Sequence, residues 1–196
     1  MLDARAQAVL DAWFGAPDSV EFGHARKLWF KKDAAFDALL HARFGAPLEE
    51  ALAGDLVTWS AAPLGALALI VLLDQFTRNC FRNTPRAFAG DREALKLART
   101  LVATQDELTL PTIHHRAFVY MPFEHDETLE SQREAVRLHT ALFDESGDKD
   151  IERGLKYARK HAEVIERFGR FPHRNAILGR ETTAEEHAWI KKKGGF

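Results

Sequence analysis

Three segments of the chain combine arginine side chains with aromatic rings and with residues that can exchange protons. They cover residues 73–86, residues 116–127, and residues 167–175 together with His161. The guanidinium fork of arginine suits bidentate recognition of carboxylate or phosphate groups. Histidine is the side chain that exchanges protons near neutral pH. The three segments therefore predict a pocket for a small anionic molecule, provided that the fold brings them together.

The segments supply candidates for two roles. The candidate catalytic residues are His125 and His173, which would exchange protons, and Glu127, which would orient a histidine. The candidate ligand-binding residues are the polar and basic side chains Asp74, Gln75, Arg78, Arg82, Arg170, Arg174 and Asn175.

Local spacing supports part of this assignment. Asp74, Arg78 and Arg82 recur every fourth residue, which places them on one helix face if the helix persists that far. Pro172 can begin a helix, which would leave Arg174 and its neighbours at an exposed helix N-terminus, a natural site for an anion.

Each segment also has a purely structural interpretation. Asp74 and Arg78 can form a helical ion pair at the end of a buried helix. Glu124 and Glu127 can be carboxylates favoured by the dipole at the start of a helix that follows Pro122. The third segment can be an arginine-rich turn that locks two helices together. The sequence leaves these interpretations open beside the functional ones.

The pattern for a metal centre is weaker. The one Glu-x-x-His motif runs from Glu21 to His24, whereas a di-iron bundle needs two such motifs. No metalloprotease, Walker or Rossmann motif is present. His125, His161 and His173 could converge with Glu124 or Glu127, but their spacing does not decide it. The metal and the cofactor, if any, are left undetermined.

Composition limits the class of protein. The chain has 196 residues, a formal net charge of −2 and 1 cysteine. A slightly acidic chain is not typical of nucleic-acid binding, and one cysteine excludes an internal disulfide. The apolar stretch over residues 64–73 is too short to cross a bilayer, and the N-terminus lacks a signal-peptide pattern. We therefore expect one cytoplasmic domain over residues 1–196, with no nucleic-acid or membrane partner.

The apolar residues recur at three- and four-residue steps along nearly the whole chain, without the alternation of β-strands. This pattern predicts an all-α fold of about eight helices packed against antiparallel neighbours. The apolar helix that begins at Pro63 should be central. Gly45 and Pro47 predict the end of the second helix, and Pro122 predicts the end of a helix that begins at Thr112.

The longest motifs resemble the domain-of-unknown-function 924 family, an uncharacterised and mostly bacterial family. The resemblance rests on residues 72–89 (LLDQFTRNCFRNTPRAFA), 120–127 (YMPFEHDE) with Gln132, 167–175 (RFGRFPHRN) and 178–180 (LGR). Trp29, Phe30 and Trp59 agree as well. The resemblance implies a superhelical arrangement similar to that of tetratricopeptide proteins, although the tetratricopeptide repeat consensus is absent. It implies no activity.

Two functions from different classes follow. The first is a helical protein that binds a small anionic ligand in an Arg/His/aromatic pocket, as an enzyme or as a binding protein. The alternative is a protein-interaction module of tetratricopeptide-like type, without catalytic activity, that holds a peptide segment of a partner on a concave surface. In a third interpretation the motifs serve only to lock the fold, and substitution of Arg78 or Arg174 would then lower stability sharply.

Overall fold

The computed structural model describes residues 2–193, and these contain α-helices and short turns but no strand. The α-helices in chain order are α1 (Ala4–Phe14), α2 (Ala34–Ala53), α3 (Pro63–Ile70), α4 (Thr77–Cys80), α5 (Asp91–Thr104), α6 (Ile113–His125), α7 (Leu129–Ser146), α8 (Lys149–Phe168) and α9 (Ala184–Lys193). A π-helical turn over Val71–Phe76 joins α3 to α4 without a break. Counting that run as one, 8 helices pack closely in this part of the chain, which confirms the predicted all-α fold.

Short 3-10 turns connect several of the helices. They lie at Lys27–Trp29, Val57–Ala61, Pro85–Phe88, Asp106–Thr109 and Pro172–Arg174. Within residues 2–193 no helix is both long enough and apolar enough to span a membrane.

The run from α3 through the π-helical turn forms the centre of the fold. Every residue from 65 to 77 is buried. Helices α1, α5 and α6 pack against α3, whereas α2 packs against the π-helical turn and α4. The sequence predicted a central helix here because this stretch has no polar face, and a helix that is apolar all round must be covered on several sides.

An aromatic cluster fills the core between α1, α6 and the π-helical turn. The ring of Trp13 lies 5.5 Å from Phe118 and 5.6 Å from Phe76, both in edge-to-face geometry. Trp29 donates a hydrogen bond from Nε1 to the carbonyl oxygen of Trp13 at 2.8 Å. Offset and edge-to-face ring pairs add to the hydrophobic stabilisation of a core.

Two predicted helix ends are wrong, and both involve proline. Helix α2 continues through Gly45 and Pro47 as far as Ala53. Its buried residues recur along one face on both sides of the proline: Leu40, Phe44, Leu48 and Ala51. Packing of that continuous face offsets the hydrogen bond that Pro47 cannot donate.

Helix α6 likewise continues past Pro122 and ends at His125. Glu124 and His125 therefore lie in the last turn of a helix, where the helix dipole disfavours a carboxylate. The next helix, α7, begins at Leu129, with Thr128 Oγ1 accepting from the Ser131 amide at 3.2 Å. The interpretation of Glu124 as a carboxylate at a helix start is thus wrong.

The backbone of α3 at Gly65 lies close to the backbone of the preceding 3-10 turn at Trp59, and a substitution there tests this packing. A Cβ added at Gly65 would lie 2.1 Å from the Trp59 carbonyl oxygen. We expect Gly65→Ala to lower the free energy of unfolding by about 1–3 kcal/mol, because the 3-10 turn beneath α3 must move. Urea unfolding of the two proteins measures this difference.

The matched control is Gly45→Ala in α2, where the nearest atom to a new Cβ lies 3.9 Å away. This variant should gain about 0.5–1 kcal/mol, because alanine loses less backbone entropy than glycine in a helix. Equal stability of the Gly65→Ala variant and the unmodified protein would contradict the packing described here.

Candidate functional site

Two of the three predicted segments, 116–127 and 167–175, line one cleft, and Asp74 of the first segment contacts it from behind through His125. The cleft has a volume of about 160 Å³ and is lined by Asp91, Arg92, Pro122, His125, Asp126, Glu127 and Arg174. A cavity of roughly 150 Å³ accommodates a benzene-sized molecule. The cleft therefore has room for a small organic anion, and its polar lining suits one.

Asp74 lies behind the cleft, on the π-helical turn, and is completely buried. Its Oδ1 lies 2.7 Å from Nδ1 of His125 and 3.3 Å from Nη1 of Arg78. Its Oδ2 accepts a hydrogen bond from Nε2 of Gln75 at 2.6 Å. Burial alone would raise the pKa of Asp74, but the positive charges of His125 and Arg78 outweigh burial and lower that pKa to about 2. Asp74 is thus a carboxylate that is ionised at neutral pH and contacts both partners.

His125 is the last residue of α6 and lines the cleft. Because Asp74 engages Nδ1, the other ring nitrogen, Nε2, is the atom that can meet a ligand. A buried carboxylate on one nitrogen fixes the orientation and tautomer of an imidazole and leaves the second nitrogen to accept or donate a proton. The Asp74–His125 pair has the geometry of such an oriented acid–base group.

Arg174 is only 6% exposed, yet its guanidinium donates no hydrogen bond to any of residues 2–193. Its closest ion pair, to Asp91 Oδ2, spans 3.6 Å from Nη1, beyond hydrogen-bond distance. The guanidinium carbon lies 4.8 Å from the Phe88 ring centre and 4.6 Å from that of Phe171. Burial, together with the positive charge of Arg78, lowers the pKa of Arg174 to about 10. The rings hold this cation, but its donors are unused.

Arg78 contrasts with Arg174 although both lie near Asp91. Arg78 donates to both carboxylate oxygens of Asp91, at 2.8 and 3.0 Å, and to the backbone oxygen of Asp74 at 2.6 Å. A bidentate arginine–carboxylate pair of this kind fixes two elements against each other. Arg78 therefore ties α4 to the start of α5 and is committed to the fold.

Glu127 lines the cleft but does not orient a histidine. Its carboxylate accepts from both terminal nitrogens of Arg180, at 2.6 and 3.0 Å, and from the Phe171 amide at 2.7 Å. Burial raises the pKa of Glu127, but the hydrogen bond from Arg180 and the other contacts give a net lowering. Glu127 fixes the segment that carries Arg174. The role of orienting a histidine, which the sequence analysis gave to Glu127, belongs to Asp74.

Several predicted residues lie outside the cleft lining. Arg82 follows the end of α4 and pairs with Asp37 of α2 at 2.9 Å. Arg170 pairs with Glu186 of α9 at 2.7 Å, and the buried Asn175 donates to the same glutamate at 3.3 Å.

The segment around Pro172 differs from its prediction. It forms the 3-10 turn Pro172–Arg174 instead of an exposed helix N-terminus, because Pro172 and Arg174 are themselves buried. His173 is the middle residue of this turn and is partly buried, with its ring centre 5.7 Å from that of Phe171. Burial, followed by the charge of Arg174, lowers the pKa of His173 to about 4.

A second buried acid–histidine contact was not predicted. Oε1 of Glu124 lies 2.7 Å from Nε2 of His139, and its Oε2 lies 3.6 Å from Nδ1 of His161. Burial would raise the pKa of Glu124, but the charge of His139 outweighs it and the net shift is downward. The sequence analysis considered Glu124 as a helix-start carboxylate or a metal ligand, and His161 as part of the third segment or a metal ligand, but did not pair Glu124 with His139. Among residues 2–193, no group of three His, Cys, Asp or Glu side chains is arranged to hold a metal ion.

Phe88, Asp91 and Arg92 are the residues of the site that sequence reasoning missed. Phe88 belongs to the 72–89 motif, but an isolated phenylalanine gives no sign that it will lie against an arginine nearly ninety residues later. Asp91 and Arg92 are the first two residues of α5 and lie outside the three segments that the sequence analysis singled out.

The fold and the cleft define an all-α protein whose site combines an oriented histidine with a buried arginine. The chain belongs to a family of bacterial proteins of unknown function, DUF924, which it matches over residues 9–194. It is similar to a solved structure, the protein of unknown function ATU0120 from Agrobacterium tumefaciens. The two chains are 37% identical and superpose with a TM-score of 0.82, over 96% of this chain and 98% of the other. No curated protein matches the chain. The family resemblance seen in the motifs is confirmed.

Proposed function

We propose that this protein binds a small anionic molecule in the cleft, with Arg174 holding the anion and His125 exchanging a proton with it. The observation that carries the proposal is the buried guanidinium of Arg174, which lines the same cleft as His125 and donates no hydrogen bond to any of residues 2–193. Burying a charge without hydrogen-bonded partners costs free energy. A residue of this kind costs stability in the free protein and is retained for binding.

The ligand would complete the hydrogen bonds of Arg174 and lie within reach of Nε2 of His125, because both side chains line the same small cleft. An arginine that holds an anion next to an oriented imidazole supports general acid–base chemistry on the bound molecule. We therefore favour an enzyme or a binding protein for a small anion over a passive scaffold.

Substitution separates this function from a structural role for the arginines. We expect Arg174→Met to abolish binding of small anions and to leave the melting temperature unchanged or raised, because an apolar side chain replaces an unsatisfied buried charge. Arg78→Met should instead lower the melting temperature, because Asp74 and Asp91 would each lose their arginine. Calorimetric titration with acetate, lactate and inorganic phosphate measures binding, and thermal unfolding measures stability.

The control is Arg153→Met, which removes an exposed arginine of α8 that forms an ion pair with Asp150 one turn away. It should change neither readout appreciably. If Arg174→Met binds anions as the unmodified protein does, or unfolds at a much lower temperature, the proposed role of Arg174 is wrong.

A protein-interaction module is the second candidate. The observation that favours it is a groove of about 390 Å³ between α8 and α9, lined by Glu163, Val164, Arg167, Glu185, Ala188, Trp189 and Lys192. This candidate predicts that Lys192→Glu weakens capture of a partner protein and leaves anion binding unchanged.

A further inference from the structure

We propose that the anionic group which the cleft takes is a phosphoryl group, held between Arg174 and the N-terminus of α5. This inference rests on the proposed anion-binding function and specifies its ligand class.

The first observation is that the N-terminus of α5 opens onto the cleft without a side-chain cap. Asp91 and Arg92, the first residues of this 14-residue helix, line the cleft, and no side chain accepts a hydrogen bond at the N-cap. The first amides of a helix have no partner within the helix and carry the positive end of its dipole. Phosphate groups bind at such ends.

Packing explains why this helix has no cap. The N-cap residue is Gly90, and a Cβ added there would lie 2.3 Å from the carbonyl oxygen of Leu73 in the π-helical turn. The Ser, Thr, Asp or Asn that usually caps a helix cannot occupy this position without moving that backbone. The close contact between Gly90 and Leu73 therefore also leaves the first amides of α5 without a side-chain cap.

The second and independent observation is Arg174, whose buried guanidinium lines the same cleft and donates no hydrogen bond within the described chain. The rings of Phe88 and Phe171 restrict its orientation. An arginine held in this way is preorganised, so little side-chain entropy is lost when it binds an anion.

The number of donors favours a phosphoryl group over a carboxylate. A carboxylate has two oxygens in one plane, which one guanidinium fork satisfies. The cleft offers donors from three directions: the N-terminus of α5, Arg174, and His125 at the end of α6. A phosphoryl group presents three terminal oxygens in a tetrahedral arrangement and can use all of these donors at once.

The charges around the cleft are compatible with this ligand. The carboxylates of Asp91 and Glu127 are each matched by a bidentate arginine, Arg78 and Arg180 respectively. The remaining charged groups of the lining are Arg174, the exposed Arg92 and Asp126, whose Oδ2 accepts from Thr128 at 2.6 Å. Arg78 is shared with the buried Asp74, so four arginines (Arg78, Arg92, Arg174 and Arg180) stand against four carboxylates (Asp74, Asp91, Asp126 and Glu127). The positive potential for an anion therefore comes from the N-terminus of α5 and from the position of Arg174.

NMR titration of ¹⁵N-labelled protein with inorganic phosphate and, separately, with acetate tests the inference. We expect phosphate to shift the backbone amide signals of Arg92 and Glu93 saturably and to bind at least tenfold more tightly than acetate. Arg174→Lys, which keeps the charge but loses the fork, should weaken phosphate binding at least tenfold. Arg92→Gln, an exposed change that disturbs no packing, should weaken it several-fold.

The matched control is Arg99→Gln, which lies farther along α5 and contacts Ser131 and Glu130 instead of the cleft. It should bind phosphate as the unmodified protein does. Binding of acetate but not phosphate, with dependence on Arg174, would overturn the phosphoryl inference and leave the proposed anion site intact. Phosphate binding that is independent of Arg174 or leaves the α5 amides unmoved would also overturn it. Binding of neither anion would overturn both proposals.

Discussion

Replacement of Asp74 by asparagine is expected to lower the free energy of unfolding by about 3–5 kcal/mol, the range for removing one member of a buried charge pair. Asp74 is completely buried, and His125, Arg78 and Gln75 all direct polar groups at its carboxylate. Asparagine keeps the size of the side chain but removes the charge. Its NH₂ group is a hydrogen-bond donor and would face a donor of His125, Arg78 or Gln75. Urea unfolding at pH 7 measures the loss.

The same chemical change on the surface supplies the control. Glu134→Gln removes one member of the pair with Arg137 on α7, where the arginine is exposed and the glutamate is partly exposed. Exposed pairs of this kind contribute about 1 kcal/mol or less. If Asp74→Asn costs no more than Glu134→Gln, the carboxylate of Asp74 is not the electrostatic centre of the site.

The second large effect is a loss of stability in mild acid. Burial is the main cause that lowers the pKa values of His115, His161 and His173, each to about 4. A histidine in the unfolded chain titrates near its ordinary value of about 6.5. Between these values the unfolded chain binds more protons than the folded protein, so stability falls as the pH falls from about 6.5 to about 4. Each histidine contributes up to about 3 kcal/mol to this loss.

Asp74 adds to the loss at still lower pH. Its folded pKa of about 2 lies below the ordinary value, so its stabilisation is present above about pH 4 and disappears as the pH falls toward 2. Urea unfolding at a series of pH values should therefore show the free energy of unfolding fall between about pH 6.5 and 4 because of the histidines, and fall further below pH 4 because of Asp74.

One histidine can be removed from this titration without removing its ring. His115 stacks on Phe14 with the ring centres 4.0 Å apart, and its Nδ1 contacts Thr112 Oγ1 at 2.7 Å. His115→Phe keeps the stack and should reduce the decrease between pH 7 and pH 4.5, although loss of the Thr112 contact lowers stability equally at every pH. His187→Gln, an exposed change on α9, should leave the pH profile unaltered. An unchanged profile in His115→Phe would contradict the prediction.

The helices could be predicted from the sequence because the signal for them is local. Apolar residues at helical spacing predict the all-α class, and the polar-free stretch after Pro63 predicts the central helix. The helix ends predicted at Pro47 and Pro122 were wrong because contacts with other helices decide whether a helix continues past a proline. The cost of a proline inside a helix is local, but the buried faces that offset it, such as Leu48 and Phe123, gain their contacts from other helices.

The site could be predicted only as a set of segments. The sequence indicated three polar and aromatic segments; the second contacts the first through Asp74 and His125 and the third through Glu127 and the Phe171 amide. Which arginine is committed to a partner depends on carboxylates that are distant in sequence. Arg82 is matched by a residue 45 positions away and Arg180 by one 53 positions away. Spacing along one chain contains no information on such pairs.

The unforeseen π-helical turn over Val71–Phe76 matters for the same reason. It changes the direction in which Asp74 leaves the helix, and no residue type in this stretch distinguishes a π turn from an α turn. Such turns are frequent at functional sites. Thr77 Oγ1 donates a hydrogen bond to the Leu73 carbonyl oxygen, and Gly90 packs closely against the Leu73 backbone. Tertiary packing therefore stabilises the turn together with local hydrogen bonding.

The most direct test of the central claim, that the guanidinium of Arg174 binds a ligand, is to observe its Nε–H signal by NMR while inorganic phosphate is added. Nε is shut off from solvent and makes no hydrogen bond among the described residues, so an anion bound at the terminal nitrogens of the same guanidinium should shift this signal saturably. The backbone amide signals of Arg92 and Glu93 should move with the same concentration dependence. An Arg174 Nε–H signal that stays unmoved when phosphate, acetate or lactate is added to high millimolar concentration would contradict the claim.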